Sequence, residues 1–370
     1  MAISVIIDEN SIKKTILVVI LAFLIFFVGH FPGFVENYYS VLFYPLWSKL
    51  LRFCFGWISF SVGDVVYFVV SLLLIRLLIV SFNRKKIRFA YFIQYLCRLI
   101  RFLSWGYIFF NLCWGLNYHR QGISNQIHIK LNTYSVLQIT DLKKYLIYKT
   151  NECRRKLNDS SLKELPKEFV FDEAAKAYLT ISSKYVFFQY QPTSLKSTEF
   201  NWLADYIGFT GYYNPFTGEA QVRTDVPHIL LPFIVCHEIA HQLGYASERE
   251  ANFVGYLAAS QSTNVYFNYS VYLELLNYAM GEEYFLYAKE NSYSQFKAAM
   301  LYNKLHIDPL VQQDRKAIKQ FFKQRQNRFA PVSANLYDQF LKLNQQVEGI
   351  ASYNEVLAWL IAYKESKGKL

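Results

Sequence analysis

The apolar residues of this chain follow two patterns that change over near Tyr118. Before it they come in long, almost unbroken runs. Thr15 to Val28 is such a run, and continued through His30 and Pro32 to Phe34 it reaches about 20 residues, enough to cross a bilayer. Ile58 to Val80 and Leu99 to Leu116 are two more. Between the first two, Val35 to Trp57 mixes Tyr, Phe, Trp and Leu with Lys49 and Arg52, which predicts an amphipathic segment lying at the membrane surface. No small-x-small cleavage pattern follows the first run, so it is expected to stay as an anchor.

From His119 onward, apolar positions recur at helical spacing between charged ones. Helices are expected over Asp141 to Leu157, Glu173 to Tyr185, Tyr266 to Ala288, Asp314 to Arg328, Ala334 to Val347 and Tyr353 to Glu365. Asn125 to Leu131 reads as a short extended linker, and Pro166 to Phe171 as a turn into extended chain. Gly208 to Val222 predicts a hairpin, because two apolar arms flank Asn214-Pro215 and Gly218, residues that turn the chain. The expected architecture is membrane-anchored. Three N-terminal transmembrane helices (about 15–34, 58–80 and 99–116) occupy residues 1–118, and a mainly α (α+β) domain follows over 119–370.

Composition agrees with a membrane component: 53% of residues are hydrophobic and 18% aromatic. The net charge of +11 would suit nucleic acid, but many of the early basic residues sit beside the apolar runs. Asn83-Arg-Lys-Lys-Ile-Arg88 is a short basic loop between two of them, and Lys13-Lys14 precedes the first. Cytoplasmic loops carry such excess charge, so the expected partner is the lipid bilayer, not nucleic acid, and everything after Tyr118 is expected outside. Asp64 and Arg76 flank the second run, where end positions and snorkelling account for them better than a transport pair does. The five cysteines show no regular spacing and no C-x-x-C, which argues against a disulfide framework. Cys236 reads as a small buried helix residue, with a bridge to Cys153 as the other possibility.

The chemistry concentrates in Val235 to Asn252, V-C-H-E-I-A-H-Q-L-G-Y-A-S-E-R-E-A-N. His237, Glu238 and His241 form H-E-x-x-H, and residues four apart on a helix share a face, so both imidazoles can meet one ion. Leu231-Pro232 suits the start of that helix and Gly244 its end. Catalytic zinc takes three protein ligands and keeps one open position, so a third ligand is needed. Ser247 and Glu250 form S-x-x-E, a capping box that gives Glu250 a structural task. Glu248 is then free to be the third ligand, and Asn252, one turn on, to orient a ligand. Glu250 is the alternative ligand. Glu238 is placed to act as general base on a zinc-bound water.

These residues resemble the zincin metallopeptidases, in particular the glutamate-zincins, whose third ligand lies in E-x-x-x-(D/N); Glu248 and Asn252 fit that pattern. Only six residues separate His241 from Glu248, a short interval for that group, and His241-Gln-Leu-Gly244 is similar to the glycine turn of metzincins, with Ser247 where their third histidine would stand. The whole arrangement is similar to an uncharacterised bacterial family of membrane-anchored zincin-like proteins. The resemblance implies a zincin-like domain, Zn2+ bound by His237, His241 and Glu248, and a bacterial cytoplasmic-membrane location with the domain outside. It also implies that a strand before the H-E-x-x-H helix, here Glu219 to Arg223, pairs with the substrate backbone. Tyr212 and Tyr213 could serve an oxyanion or simply pack on the core, and packing is preferred.

Three functions compete. The leading one is a membrane-bound zinc metallopeptidase acting on an envelope peptide or protein. The second is a catalytically silent zinc-binding envelope interaction protein, against which intact Glu238 argues. The third, a transport component, rests on Asp64 and Arg76 alone.

Overall fold

A long apolar segment has to satisfy its backbone groups within itself, and the N-terminal runs do so as helices. The computed structural model describes residues 9–82, 89–157, 165–344, 356–368 and 370. Helix α1 spans Glu9–Val28, α2 Tyr44–Phe55, α3 Val62–Phe82 and α4 Phe89–Cys113, with a π-helical stretch, Val35–Phe43, leading into α2. The basic loop 83–88 lies outside the described residues. Two helices, Glu9–Val28 and the Ile93–Cys113 part of α4, are long and apolar enough to cross a membrane. They pack side by side and parallel. Arg101 donates to Ser11 O at 2.8 Å and to Thr15 Oγ1 at 3.1 Å, while Gly29 abuts the His119 ring beyond the other end. The Arg101 guanidinium thus finds acceptors on the neighbouring helix, without which it would be costly on an apolar surface.

The expectation of three spans followed by an α+β domain is corrected here. Among the described residues two helices meet the length and composition of a span, and the run from Ile58 to Val80 is not one of them. That run starts its helix four residues late, at Val62, and the first turn belongs to the folded domain. Val62 N and Gly63 N donate to Glu219 at 3.1 and 2.6 Å, so a buried carboxylate satisfies two N–H groups that begin α3. Asp64 is buried, accepts from Thr198 Oγ1 and Glu199 N at 3.0 and 2.7 Å, and takes the Tyr212 hydroxyl as well. Polar groups tie this end to protein.

The surface segment Val35 to Trp57 is likewise more than a membrane-facing ribbon. One face, with Val35, Tyr39 and Tyr44, packs with Trp114, Leu116, Tyr213 and Ala246 in a small core, while Leu46, Leu50, Phe53 and Trp57 stay exposed on the other.

The strands are few and short. β1 (Leu195–Ser197), β2 (Gly211–Asn214) and β3 (Glu219–Val222) form one sheet in the order β1-β3-β2, with β1 parallel and β2 antiparallel to β3. β2 and β3 are the expected hairpin. Asn214 Oδ1 accepts from Phe216 N and Thr217 N at 3.0 and 3.2 Å, closing the turn.

The remaining elements are helices. Ser135 and Gln138 make a capping box, so helix α5 runs Val136–Lys156 and begins before the expected Asp141. Pro166 stands at the start of α6, Lys167–Ser182, which replaces the extended chain expected up to Phe171. Later helices include α7 (Leu231–Gln242), α8 (Glu248–Ser260), α9 (Val265–Lys289), α10 (Pro309–Arg325), α11 (Ala330–Leu343) and α12 (Val356–Lys367). Positions 345–347 and 353–355, expected in the last two, lie outside the described residues. Helices α5 and α9 pack along each other and share a buried pair, Lys143 Nζ to Glu283 Oε2 at 2.6 Å, with Thr140 donating to the same carboxylate. The main core gathers around α7, where Val235, Cys236, Ile239 and Ala240 are wholly buried. Cys153 and Cys236 are both buried and unbonded to any other cysteine. Lys316, Lys319 and Lys323 of α10 are exposed.

Candidate metal centre

Helix α7 carries the H-E-x-x-H residues on one side of a buried element. Pro232 sits in its first turn, where a missing N–H costs nothing. It ends at Gly244, whose φ of 91° is the left-handed conformation glycine takes freely, and a β-carbon there would also meet the Tyr44 ring at 2.8 Å. The last carbonyls of α7, orphaned by the helix end, find donors in the N-terminal third. Trp114 Nε1 donates to His241 O at 3.0 Å, and Tyr44 OH and Ser48 Oγ both donate to Gln242 O at 2.9 Å.

The tight turn after Gly244 starts α8 so close by that Glu248, its first residue, faces the histidines. His237 Nε2 lies 3.2 Å and His241 Nε2 3.7 Å from Glu248 Oε2, and all three donor atoms lie within 4.8 Å of one another. Ligands about 2.0–2.2 Å from a tetrahedral zinc stand about 3.3 Å apart, so the set has the right scale. The donors are also oriented. His237 Nδ1 is 2.8 Å from Asn252 Oδ1, and His241 Nδ1 is 2.8 Å from the Tyr245 carbonyl oxygen. A carbonyl only accepts, so both rings carry hydrogen on Nδ1, which leaves the Nε2 lone pairs aimed at the shared space. The far oxygen of Glu248 accepts from Tyr337 OH of α11 at 2.7 Å. Two lone pairs and a carboxylate turned on one point suit a cation. The residues fit a zinc ion.

Glu250 does not join them. Its carboxylate accepts from Ile123 N at 2.7 Å, capping a one-turn helix, Ile123–Ile127, where an extended linker was expected. The capping box with Ser247 does not form, since the Ser247 side chain makes no cap hydrogen bond. Ser247 still begins the helix, but Glu250 is drawn to the buried Ile123 amide instead.

Burial and mutual charge set the protonation of the cluster. Burial pulls the His241 imidazole down, but the charge and hydrogen bond of Glu248 outweigh it and lift it to about 9. Burial works against Glu248 too, and the two histidines hold it well below the usual carboxylate range. In Glu238 burial dominates and pushes the carboxyl up to about 7 against the pull of both histidines. At neutral pH the ion-free site therefore keeps a proton on His241, one that a metal must displace. We expect zinc uptake to release it, and the apparent affinity to fall about tenfold per pH unit below about 9. Calorimetry in buffers of different ionisation enthalpy measures this directly. The sign for folding follows: this raised imidazole stabilises the ion-free fold fully below 6.5, and the contribution fades as pH rises through about 9.

Glu238 is positioned by the sheet. A β-carbon on Gly211 would lie 2.7 Å from Glu238 Cδ, so the backbone of β2 lies directly on the carboxylate. Were Glu238 a catalytic base, Gly211→Ala would displace it and lower turnover by about 100-fold while bound zinc stays at one per chain. Steady-state rates and metal analysis on the same preparation check this.

The strand at the site is β2, not the expected Glu219 to Arg223. β3 is central and its backbone is used on both sides. Arg223 N donates to Thr210 O at 2.9 Å, so by alternation residues 210, 212 and 214 face β3 and the main-chain groups of Gly211 and Tyr213 point outward. The two tyrosines are committed elsewhere: Tyr212 OH donates to Asp64, and Tyr213 OH lies 3.3 Å from Tyr44 OH. Tyr118 is the phenol the sequence did not single out; burial and the nearby Glu248 charge both raise it. A cavity of about 1070 Å³ joins these parts, with His237, Glu238, His241 and Glu248 in its wall beside Tyr118, Gly211 and Tyr337.

No curated protein and no solved structure matches the chain. Residues 39–361 match the family described as "Protein of unknown function (DUF3810)", a stretch that starts in the segment capping α7 and ends in α12. That match covers most of the chain, and the protein belongs to this family.

Proposed function

We propose that the protein is a membrane-bound zinc metallopeptidase that hydrolyses peptide bonds in envelope peptides or proteins. The observation that carries this reading is the convergence of His237, His241 and Glu248 with a separate buried carboxylate, Glu238, on the same helix and in the same cavity wall. A structural zinc site has no use for such a base. Zinc bound by the three ligands would supply a Lewis acid that polarises the substrate carbonyl and acidifies a water.

The other steps fall to the chain. Glu238 takes a proton from the attacking water as its oxygen adds to the carbonyl carbon, then returns it to the nitrogen as the C–N bond breaks. Gly211 and Tyr213 offer outward main-chain groups to an extended substrate. Tyr118, in the wall near Glu248, is the candidate donor to the carbonyl oxygen. Lys13 and Lys14 lie in the first turns of α1, ahead of its apolar run, and Arg98 and Arg101 lie in the first half of α4. The positive-inside bias then puts the far ends of both helices, with the site beside them, on the outer face of a bacterial cytoplasmic membrane.

The test is cleavage of a mixed-sequence peptide library by the purified full-length protein, with and without stoichiometric zinc. Zinc-dependent cuts support the proposal. One tightly held zinc without a single cut would point to the silent interaction protein.

A further inference from the structure

We infer that the substrate is a membrane-inserted polypeptide, cut at a peptide bond just outside the bilayer while its apolar segment occupies the aromatic cavity beside α4. This inference rests on the peptidase reading and adds the class of substrate.

The position of the site leads to it. Trp114 follows Cys113, the last residue of a helix apolar enough to cross a membrane, and its indole donates to His241 O at 3.0 Å. The metal ligands therefore sit one residue's reach from the end of that helix. The same cavity that exposes Glu238 is walled by Phe110 of α4 and by Tyr67, Phe68 and Ser71 of α3. Phe68 is 56% exposed, and Val65, Val69 and Leu72 of the same helix are exposed with it. The apolar face of α2 is exposed as well. An aromatic channel thus runs from the ligands to an apolar surface where a bilayer would lie.

The lining also selects the occupant. Among the described residues it holds no lysine or arginine, and apart from the two histidines and the tyrosines its ionisable residues are Glu238, Glu248 and Glu274. Outside the metal cluster itself, a phosphate-bearing lipid headgroup would find no lysine or arginine to clamp it. An extended polypeptide, in contrast, finds the outward main-chain groups of β2 at the carboxylate and aromatic walls for its apolar side chains.

The experiment uses full-length, zinc-loaded protein in phosphatidylglycerol–phosphatidylethanolamine vesicles. One cleavable sequence is presented in three forms: soluble, joined directly to an apolar transmembrane segment, and joined to that segment through a long Gly/Ser spacer. The spacer form keeps the tether and its local concentration but moves the bond away from the bilayer. The directly joined form should be cut at least about tenfold faster than either other form. In parallel, a photoreactive benzoylphenylalanine replaces Phe68 in the Glu238→Gln protein, and the cross-linked partner is identified. Capture of the apolar segment supports the inference. Equal cutting of the spacer or soluble form overturns it and leaves the peptidase reading intact. Capture of lipid alone overturns it in favour of a lipid occupant. Capture of the segment with no cutting of any form keeps the occupant and overturns the peptidase.

Discussion

Glu238→Gln should bind one zinc per chain as tightly as the unaltered protein and cut about 100- to 10,000-fold more slowly. Gln matches Glu in shape, so the packing of this buried side chain against Gly211 survives. What is lost is the group that accepts the water's proton. Burial pushes the carboxyl up to about 7 in the ion-free site, and a bound dication would draw it down again, keeping it ionised to accept that proton. Zinc stoichiometry and peptide turnover on one preparation decide the matter. Unchanged turnover would remove Glu238 from the role of base.

Glu248→Ala and Glu250→Ala should part company, although the two residues are neighbours in sequence and both buried. Without Glu248 the histidines keep two neutral donors, and zinc affinity should fall more than about 100-fold, since even residues that merely orient ligands contribute 10- to 100-fold. Removing Glu250 leaves the Ile123 amide, now bonded at 2.7 Å, without its acceptor beside the buried Arg120–Glu36 pair. That should cost about 1–3 kcal/mol of folding stability and leave zinc binding at one per chain. Thermal unfolding and metal titration of both variants separate the assignments. Zinc loss in Glu250→Ala with retention in Glu248→Ala would reverse them.

The two glutamates also show how far a sequence pattern reaches. S-x-x-E marks a helix start, and a helix does start there, at Glu248 after Ser247. The partner of Glu250 was illegible, because the amide it satisfies lies 127 positions away on a different element. The hairpin was legible from Asn214, Pro215 and Gly218, yet its edge was not. Which strand lies outermost depends on β1, a three-residue strand without a pattern of its own. Likewise the run from Ile58 to Val80 has the composition of a span, but Glu219 and Thr198 draw its first turn into the domain. Tyr337 was missed because nothing local to α11 connects it with Glu248.

What the sequence by itself determined is local: the i, i+4 spacing that turns His237 and His241 to one side, the glycine that ends their helix, and the long apolar runs. Those follow from backbone geometry and side-chain chemistry within a few residues. Tertiary structure decided which carboxylate completes the cluster, which strand borders Glu238, and that Tyr44, Ser48 and Trp114 hold the end of the H-E-x-x-H helix. Orphaned helix carbonyls and buried charges need partners, and distant segments supplied them once the chain had packed.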